Sequence, residues 1–393
     1  MINLNQDNHT EVIPFLRLGF RPFFFATGVI AVLSMLMWMV FYPSLILINN
    51  ANPIDWHAHE MIFAYASAVT VGFLLTASKN WTGIQTLYHK PLLALLVLWA
   101  LGRFLPFVAN EYLIYQAIVD SSFLVFSTIA IAYPIIKGKK YNNLGIVAKV
   151  MLLALAHIMF YLGLLGVVDQ GIYIGTYLGF YLLISLVLMM SRRLLPFFIE
   201  RGLCLDKSLH NSKFLDLSSL VLFFLFMIIE IFFTGPLNVL VAGTLFIIHV
   251  IRLWNWHHPK IWQKPLLWSI YLAYGFLMLG FFIYVIGFFV SIGPNLDIHA
   301  FAFGLALMVL SMMARVSLGH TGRDVFNPPK HLNTMFILLV LSFVVRVLMV
   351  GFDIVHYAEW IFISQLLWIV AFVLFLLIYT PMFFQARIDG RFG

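Results

Sequence analysis

In the stretch "NPIDWHAHEMIFAYASAVTVGFLLTASKNWTG", residues 52–83, two histidines and a glutamate stand at the head of a long apolar run. Neutral imidazole is the commonest protein ligand for haem iron and for copper. His57, His59 and Glu60 are therefore the first residues whose chemistry needs an account. His57 and His59 lie two apart, about 200° around an α-helix, so two helical side chains at this spacing do not face one metal. A helical projection groups His59 with Glu60, Ala66, Ser67 and Thr70 on the polar, small side, and His57 with Ala64, Ala68 and Val71. His59 is the inward candidate ligand and His57 a rim or second-site residue. A helix beginning after residue 57 would let both turn inward.

His299 heads a second run, "DIHAFAFGLALMVLSMMARVSLGH". His320 closes it, about 32 Å further on at 1.5 Å per residue, so these two cannot share a metal. His59 and His299 would flank a haem if their helices packed together. His157 lies alone in a third run. Arg103 and Arg346 also sit inside apolar runs, where a guanidinium is costly unless paired. The propionates of a haem are one kind of partner; Glu111, Asp120, Glu230 or Asp353 are others. A further basic set, "SRRLLPFF" at 191–198 and "RVSLGHTGRD" at 315–324, gathers Arg315, His320 and Arg323. It would hold a second anionic group or anchor helix ends to lipid phosphates.

The elements that position these residues follow from composition. The chain is 63% hydrophobic and only 10% charged, against about 25% charged in soluble domains. Apolar windows of membrane-spanning length recur throughout. The expectation is an all-α, polytopic integral membrane bundle of about twelve transmembrane helices forming a single domain over 1–393, with short tails at 1–17 and 385–393. The spans are expected near 18–40, 57–78, 91–108, 112–136, 146–167, 172–196, 215–234, 236–254, 265–289, 298–318, 332–352 and 357–384. The first run is too long for a signal-peptide core and reads as a retained span. With both termini in the cytoplasm, the loop lysines and arginines fall on the inner side and none on the outer. That positive-inside pattern accounts for the net charge of +7 without nucleic acid. Orientation then puts Asp55, His57, His59, Asp297, His299, Asp353 and His356 at the outer face, and His89, His210, His257, His258, His320 and His331 at the inner face. His157 lies near mid-depth.

Plainer roles compete with the chemical ones. Trp56, Trp81 and Trp99 read first as interface-belt aromatics. Gly171, Gly175 and Gly179 in "GIYIGTYLG" read as a helix-packing face, and Pro196 as the mark of a helix end. His157, with no companion in sequence, is as readily a hydrogen-bonded packing residue as a ligand. The single cysteine, Cys204, excludes internal disulfides and cysteine-rich metal sites.

Six ordered stretches, "FLRLGFRPFFFATG", "WHAHEMIFAYASAVTVGFLLTASKNWTG", "LWALGRF", "SRRLLPFFIERG", "PLLWSIYLAYGF" and "MMARVSLGHTGR", together resemble the NnrS family. The resemblance covers nearly the whole chain. It implies a twelve-span bacterial inner-membrane protein that contains haem, of the b type, and copper, and that acts in the response to nitric oxide and nitrosative stress, often beside denitrification. The span count is similar to the catalytic subunit of haem–copper oxidases, an architectural analogy. By that analogy His59 and His299 would be haem ligands, Arg103 and Arg346 propionate partners, and His57 or His157 copper ligands. Two departures stand out. This chain has Tyr271 where the family pattern commonly has histidine, and no His–His pair lies in a mid-membrane span.

Three functional classes follow. One is a haem-dependent protein that binds or reduces nitric oxide with electrons from an unidentified donor. The second is a haem-based sensor without turnover, and the third a transporter of a metal or small anion.

Overall fold

The computed structural model describes residues 12–48, 51–108, 112–206, 208–233 and 235–393. Glu111 and most of the expected N-terminal tail lie outside them. Among the described residues the long elements are all helices, and the only strand-like pairing is one bridge between Ile48 and Ala51. Among the described residues, twelve helices have the length and hydropathy to cross a membrane. They are α1 (Phe20–Ser44), α2 (Pro53–Thr82), α3 (His89–Val108), α4 (Leu113–Lys137), α5 (Tyr141–Leu164), α6 (Gly171–Leu203), α7 (Lys213–Phe232), α8 (Pro236–Asn255), α9 (Pro265–Phe289), α10 (Leu296–His320), α11 (Leu332–Phe352) and α12 (Tyr357–Phe384). Helices suit a bilayer because each satisfies its backbone polar groups within its own segment. The chain is a multi-pass membrane protein.

Local chemistry sets the helix ends. The Asn52 side chain accepts from Asp55 N with Pro53 in the first turn of α2, the pairing that opens a helix most readily. Gly83, at φ +73°, closes the same helix, a conformation glycine takes without cost. At α6 the structure departs from expectation. The helix carries on through Pro196 to Leu203, because its apolar face continues past the proline: Leu195 and Ile199 are buried while Phe197 is exposed. Packing outweighs the proline penalty of about 3 kcal/mol.

Two helices contain π turns, Glu60–Ala66 within α2 and Val344–Met349 within α11. A π turn bonds i→i+5 and displaces every later side chain from the α-helical phase. The single projection over the α2 run therefore holds only as far as His59.

The chain divides into two compact units. The first comprises the described residues up to Gly179 with Met313–Pro328 and Val373–Gly393; the second comprises Phe180–Met312 with Pro329–Phe372. In the first unit, small residues let backbones touch. A Cβ on Gly72 would lie 2.7 Å from Phe23 Cβ, and one on Gly175 would lie 2.5 Å from Phe160 N and 2.6 Å from Ala156 O. The "GIYIGTYLG" face is thus a packing face, as its spacing predicts. In the second unit, Arg252 Nη2 donates to Asp216 Oδ1 at 2.6 Å and its Nη1 to Ser219 Oγ at 3.1 Å, neutralising a buried aspartate near the start of α7.

The turn between α11 and α12 is held by Asp353. Its carboxylate accepts from His356 Nδ1 at 2.8 Å and from Trp360 Nε1 at 3.3 Å. The His356 hydrogen bond holds Asp353 below the usual carboxylate range, and the same bond with the opposite charge lifts His356 above the usual imidazole value. Stability from the raised histidine is complete below about pH 6.5 and is lost as pH rises through its folded value. Stability from the lowered aspartate is complete above about pH 4 and is lost on acidification. The melting-temperature difference between wild type and His356→Gln in detergent is therefore expected to be largest near pH 5–6 and to shrink on both sides. A difference that grew steadily up to pH 9 would contradict this account.

Candidate metal centre

His59 closes the first α-helical part of α2, and the π turn opens at the next residue, Glu60. Both are buried, with 5% and 4% of their surface exposed. Their partners come from three other helices of the first unit: Arg103 on α3, Asp120 on α4 and His157 on α5.

His59 Nε2 lies 2.9 Å from His157 Nε2 and 3.5 Å from Asp120 Oδ2, and His157 Nε2 lies 3.4 Å from the same oxygen. A triangle with these edges encloses a point about 2 Å from all three atoms. That is the bond length from an imidazole nitrogen or a carboxylate oxygen to a zinc- or copper-class ion. Two imidazole nitrogens this close cannot both carry a proton. Either one donates to the other, or both offer lone pairs to a shared cation.

The surroundings orient these donors. His59 Nδ1 faces Glu60 Oε1 at 3.1 Å. A proton held there turns the Nε2 lone pair toward His157 and Asp120, the carboxylate–histidine support usual behind a metal ligand. The His157 ring stacks on Phe63, centroids 4.4 Å apart at 21°, and its Nδ1 has no hydrogen-bond partner among the described residues. Asp120 Oδ2 accepts from Tyr161 OH at 2.8 Å and from Arg103 Nη2. Arg103 Nη1 reaches Glu60 Oε1 at 3.2 Å, so one guanidinium bridges both carboxylates. Two carboxylates and one guanidinium leave one formal negative charge, which a cation at the centre would offset.

Gly102 makes room for this arrangement. A Cβ there would lie 2.7 Å from Asp120 Cγ and closer still to Asp120 Oδ1. The "LGRF" stretch therefore supplies both the guanidinium and the space for its partner.

Beside the cluster is a small cavity of about 20 Å³, room for about one water-sized molecule. Trp56, Pro106, Phe160 and Leu164 form apolar walls, while His59, Glu60 and Tyr161 contribute polar atoms. Side chains crowd His59 on the side a porphyrin would need. The ring centroids of Phe160, His157 and Phe63 lie 4.7, 5.0 and 5.5 Å from that of His59, and its Nε2 is already met by His157 Nε2 and Asp120 Oδ2. The donor set fits a single metal ion.

The other candidate residues are distributed elsewhere. His57 stacks on Trp38, centroids 4.3 Å apart at 19°. Its separation from His59 around the helix is as the spacing predicts. His299 lies in the second unit, its Nδ1 2.7 Å from Asn295 O, with Arg346 Nη2 3.2 Å from both of its ring nitrogens. Arg346 falls within the π turn of α11. Arg103 pairs with carboxylates, Asp120 among those named from sequence and Glu60 in addition. His320 contacts Asn80 and Phe20, and Arg323 contacts Gln385. His249 escapes sequence reading altogether. It is a lone histidine in an apolar helix, 1% exposed, with Nδ1 2.6 Å from Tyr274 OH. The Tyr271 hydroxyl, at the position where histidine was expected, donates to Leu253 O at 2.9 Å.

Helical topology and the buried cluster together define a multi-pass membrane protein with a histidine–carboxylate constellation inside one helical unit. A family model described as "NnrS protein" matches residues 14–387. The chain belongs to the NnrS family. No curated protein matches it.

Proposed function

We propose that this chain is a metal-binding protein of the bacterial inner membrane that protects against nitric oxide, with His59, Asp120 and His157 as ligands of a copper-class ion. The observation that carries the reading is the convergence of three buried donor atoms on one point about 2 Å from each. Bound there, copper would supply an open coordination position and one-electron exchange.

The chain's own residues do the rest. Glu60 holds the His59 tautomer, Arg103 and Tyr161 fix the Asp120 oxygen, and Phe63 and Phe160 limit water. The adjoining apolar cavity suits a small neutral diatomic such as nitric oxide, which needs no charged recognition group. The haem implied by family membership is better assigned to His299 than to His59. The Asn295 carbonyl meets His299 Nδ1, and His299 Nε2, which lies 3.2 Å from Arg346 Nη2, would hold the haem iron once that guanidinium turned to a propionate. Arg346 stands beside that ring, where a guanidinium can meet a propionate.

Purified protein should contain one copper-class ion per chain by elemental analysis. His157→Ala should lose it while keeping any Soret absorption, and His299→Ala should do the reverse. Full metal content in both His59→Ala and His157→Ala would overturn the assignment. Anaerobic consumption of nitric oxide with an artificial electron donor separates turnover from binding alone.

A further inference from the structure

At the end of the first unit formed by the start of α1, the end of α2 and the close of α10, the chain gathers cations. Arg21 is fully buried, and its Nη1 donates to the main-chain oxygens of Met382, Phe383 and Gln385 at 3.0, 2.8 and 2.7 Å, its Nη2 to that of Gly393 at 2.7 Å. The three on Nη1 are peptide carbonyls, which carry no formal charge. Arg17, Arg323 and Arg387 all lie close enough to repel it. Arg17 Cζ and Lys79 Nζ both lie over the Phe392 ring, 5.7 and 4.8 Å from its centroid. Arg323 Nη2 donates to the amide oxygen of Gln385 at 3.0 Å, and its Nη1 is buried with no hydrogen-bond partner among the described residues. Arg387 meets a carboxylate, binding Asp389 through Nε and Nη2 at 2.8 and 2.5 Å, with Nη1 on His320 O at 3.0 Å.

Among the described residues, Arg17, Arg21, Lys79, Arg323 and Arg387 thus gather here, and the Asp389 carboxylate is already engaged by Arg387. The closing segment 387–393 is seated rather than loose. Ile388 N donates to Thr321 O at 3.2 Å, and Gly322 and Gly390 take φ of +78° and +71° to bring the segments together. This docking carries Arg387 toward Arg21 and Lys79, an approach of like charges that an added anion would favour. Ordinary positive-inside residues are exposed and scattered; Arg17, Lys79 and Arg323 are half-buried and fixed by a ring and an amide.

We propose that Arg17 and Lys79, beside Phe392, together with Arg323, beside Gln385, bind a phosphate-type oxyanion at this end of the protein. The same chemistry is available from an anionic lipid headgroup or from free phosphate, since both present tetrahedral oxygens to guanidinium and ammonium donors. The site is separate from the metal centre and does not depend on its occupancy.

The test uses the full chain in nanodiscs of phosphatidylcholine alone, titrated with inorganic phosphate, and in nanodiscs doped with phosphatidylglycerol, with thermal stability and native mass spectrometry as readouts. Stabilisation by phosphate in neutral lipid identifies a free oxyanion, and stabilisation only by phosphatidylglycerol identifies a headgroup. The double variant Lys79→Gln/Arg323→Gln should weaken the effect about tenfold or more, the scale of a lost charge-assisted bond. Lys79→Arg should retain most of it, and Lys139→Gln/Lys140→Gln, at exposed lysines, should leave it unchanged. No stabilisation from either source, or equal stabilisation in wild type and the Lys79/Arg323 variant, overturns the proposal.

Discussion

Replacing Arg103 with leucine is expected to destabilise the metal-free protein by about 3–5 kcal/mol, the cost of breaking a buried ion pair from one side. The guanidinium bridges Glu60 and Asp120, whose side chains are 5% and 1% exposed. Without it two neighbouring buried carboxylates face each other with no counter-charge. Leucine fills much of the volume, so the loss reports charge rather than a cavity. Arg103→Lys should recover part of it, because an ammonium restores the charge without the two-pronged fork. The centre makes a second demand on this variant. A bound cation supplies the missing positive charge, so added copper should restore more stability to Arg103→Leu than it adds to wild type. Thermal melts in detergent with and without metal check both parts. Equal metal-induced shifts in the two proteins would count against a cation at this site.

The second large effect is expected from a residue that touches no metal. Gly102→Ala introduces a methyl group 2.7 Å from Asp120 Cγ and 3.1 Å from Asp120 Cβ. Either α3 and α4 separate or the aspartate swings away. The first breaks packing at about 1–3 kcal/mol, and the second removes one of three ligands. Metal content should fall severalfold while every ligand remains in the sequence. Gly145→Ala is the control, since a Cβ there meets nothing within 4 Å; it should keep both metal and stability. Full metal content together with wild-type stability in Gly102→Ala would contradict the close approach of α3 to Asp120.

Much of the architecture is legible without coordinates, because hydropathy and charge are additive along the chain. The last four spans match expectation within a few residues, and the inward role of His59 follows from its offset from His57. The partners of His59 are not legible in this way. His157 lies 98 residues away, and a single histidine in an apolar run carries no signal of what it meets. Asp120 can be named as a counter-charge for Arg103, since a buried guanidinium requires one. Its second role follows only from helix packing around Gly102. The π turns leave no composition signature, yet they fall at Glu60 and around Arg346, where the α-helical phase would be extrapolated. His249 is missed for the same reason as the His157 pairing: its partner Tyr274 sits on another helix.

The central claim is that His59, Asp120 and His157 hold one ion. X-ray absorption at the metal edge of the copper-loaded protein reads this directly. The account predicts a nitrogen and oxygen shell at about 2.0 Å with the outer-shell scattering of two imidazoles, falling to one in His157→Ala. A sulfur shell, a porphyrin-type set of four nitrogens, or an unchanged spectrum in His157→Ala would contradict it.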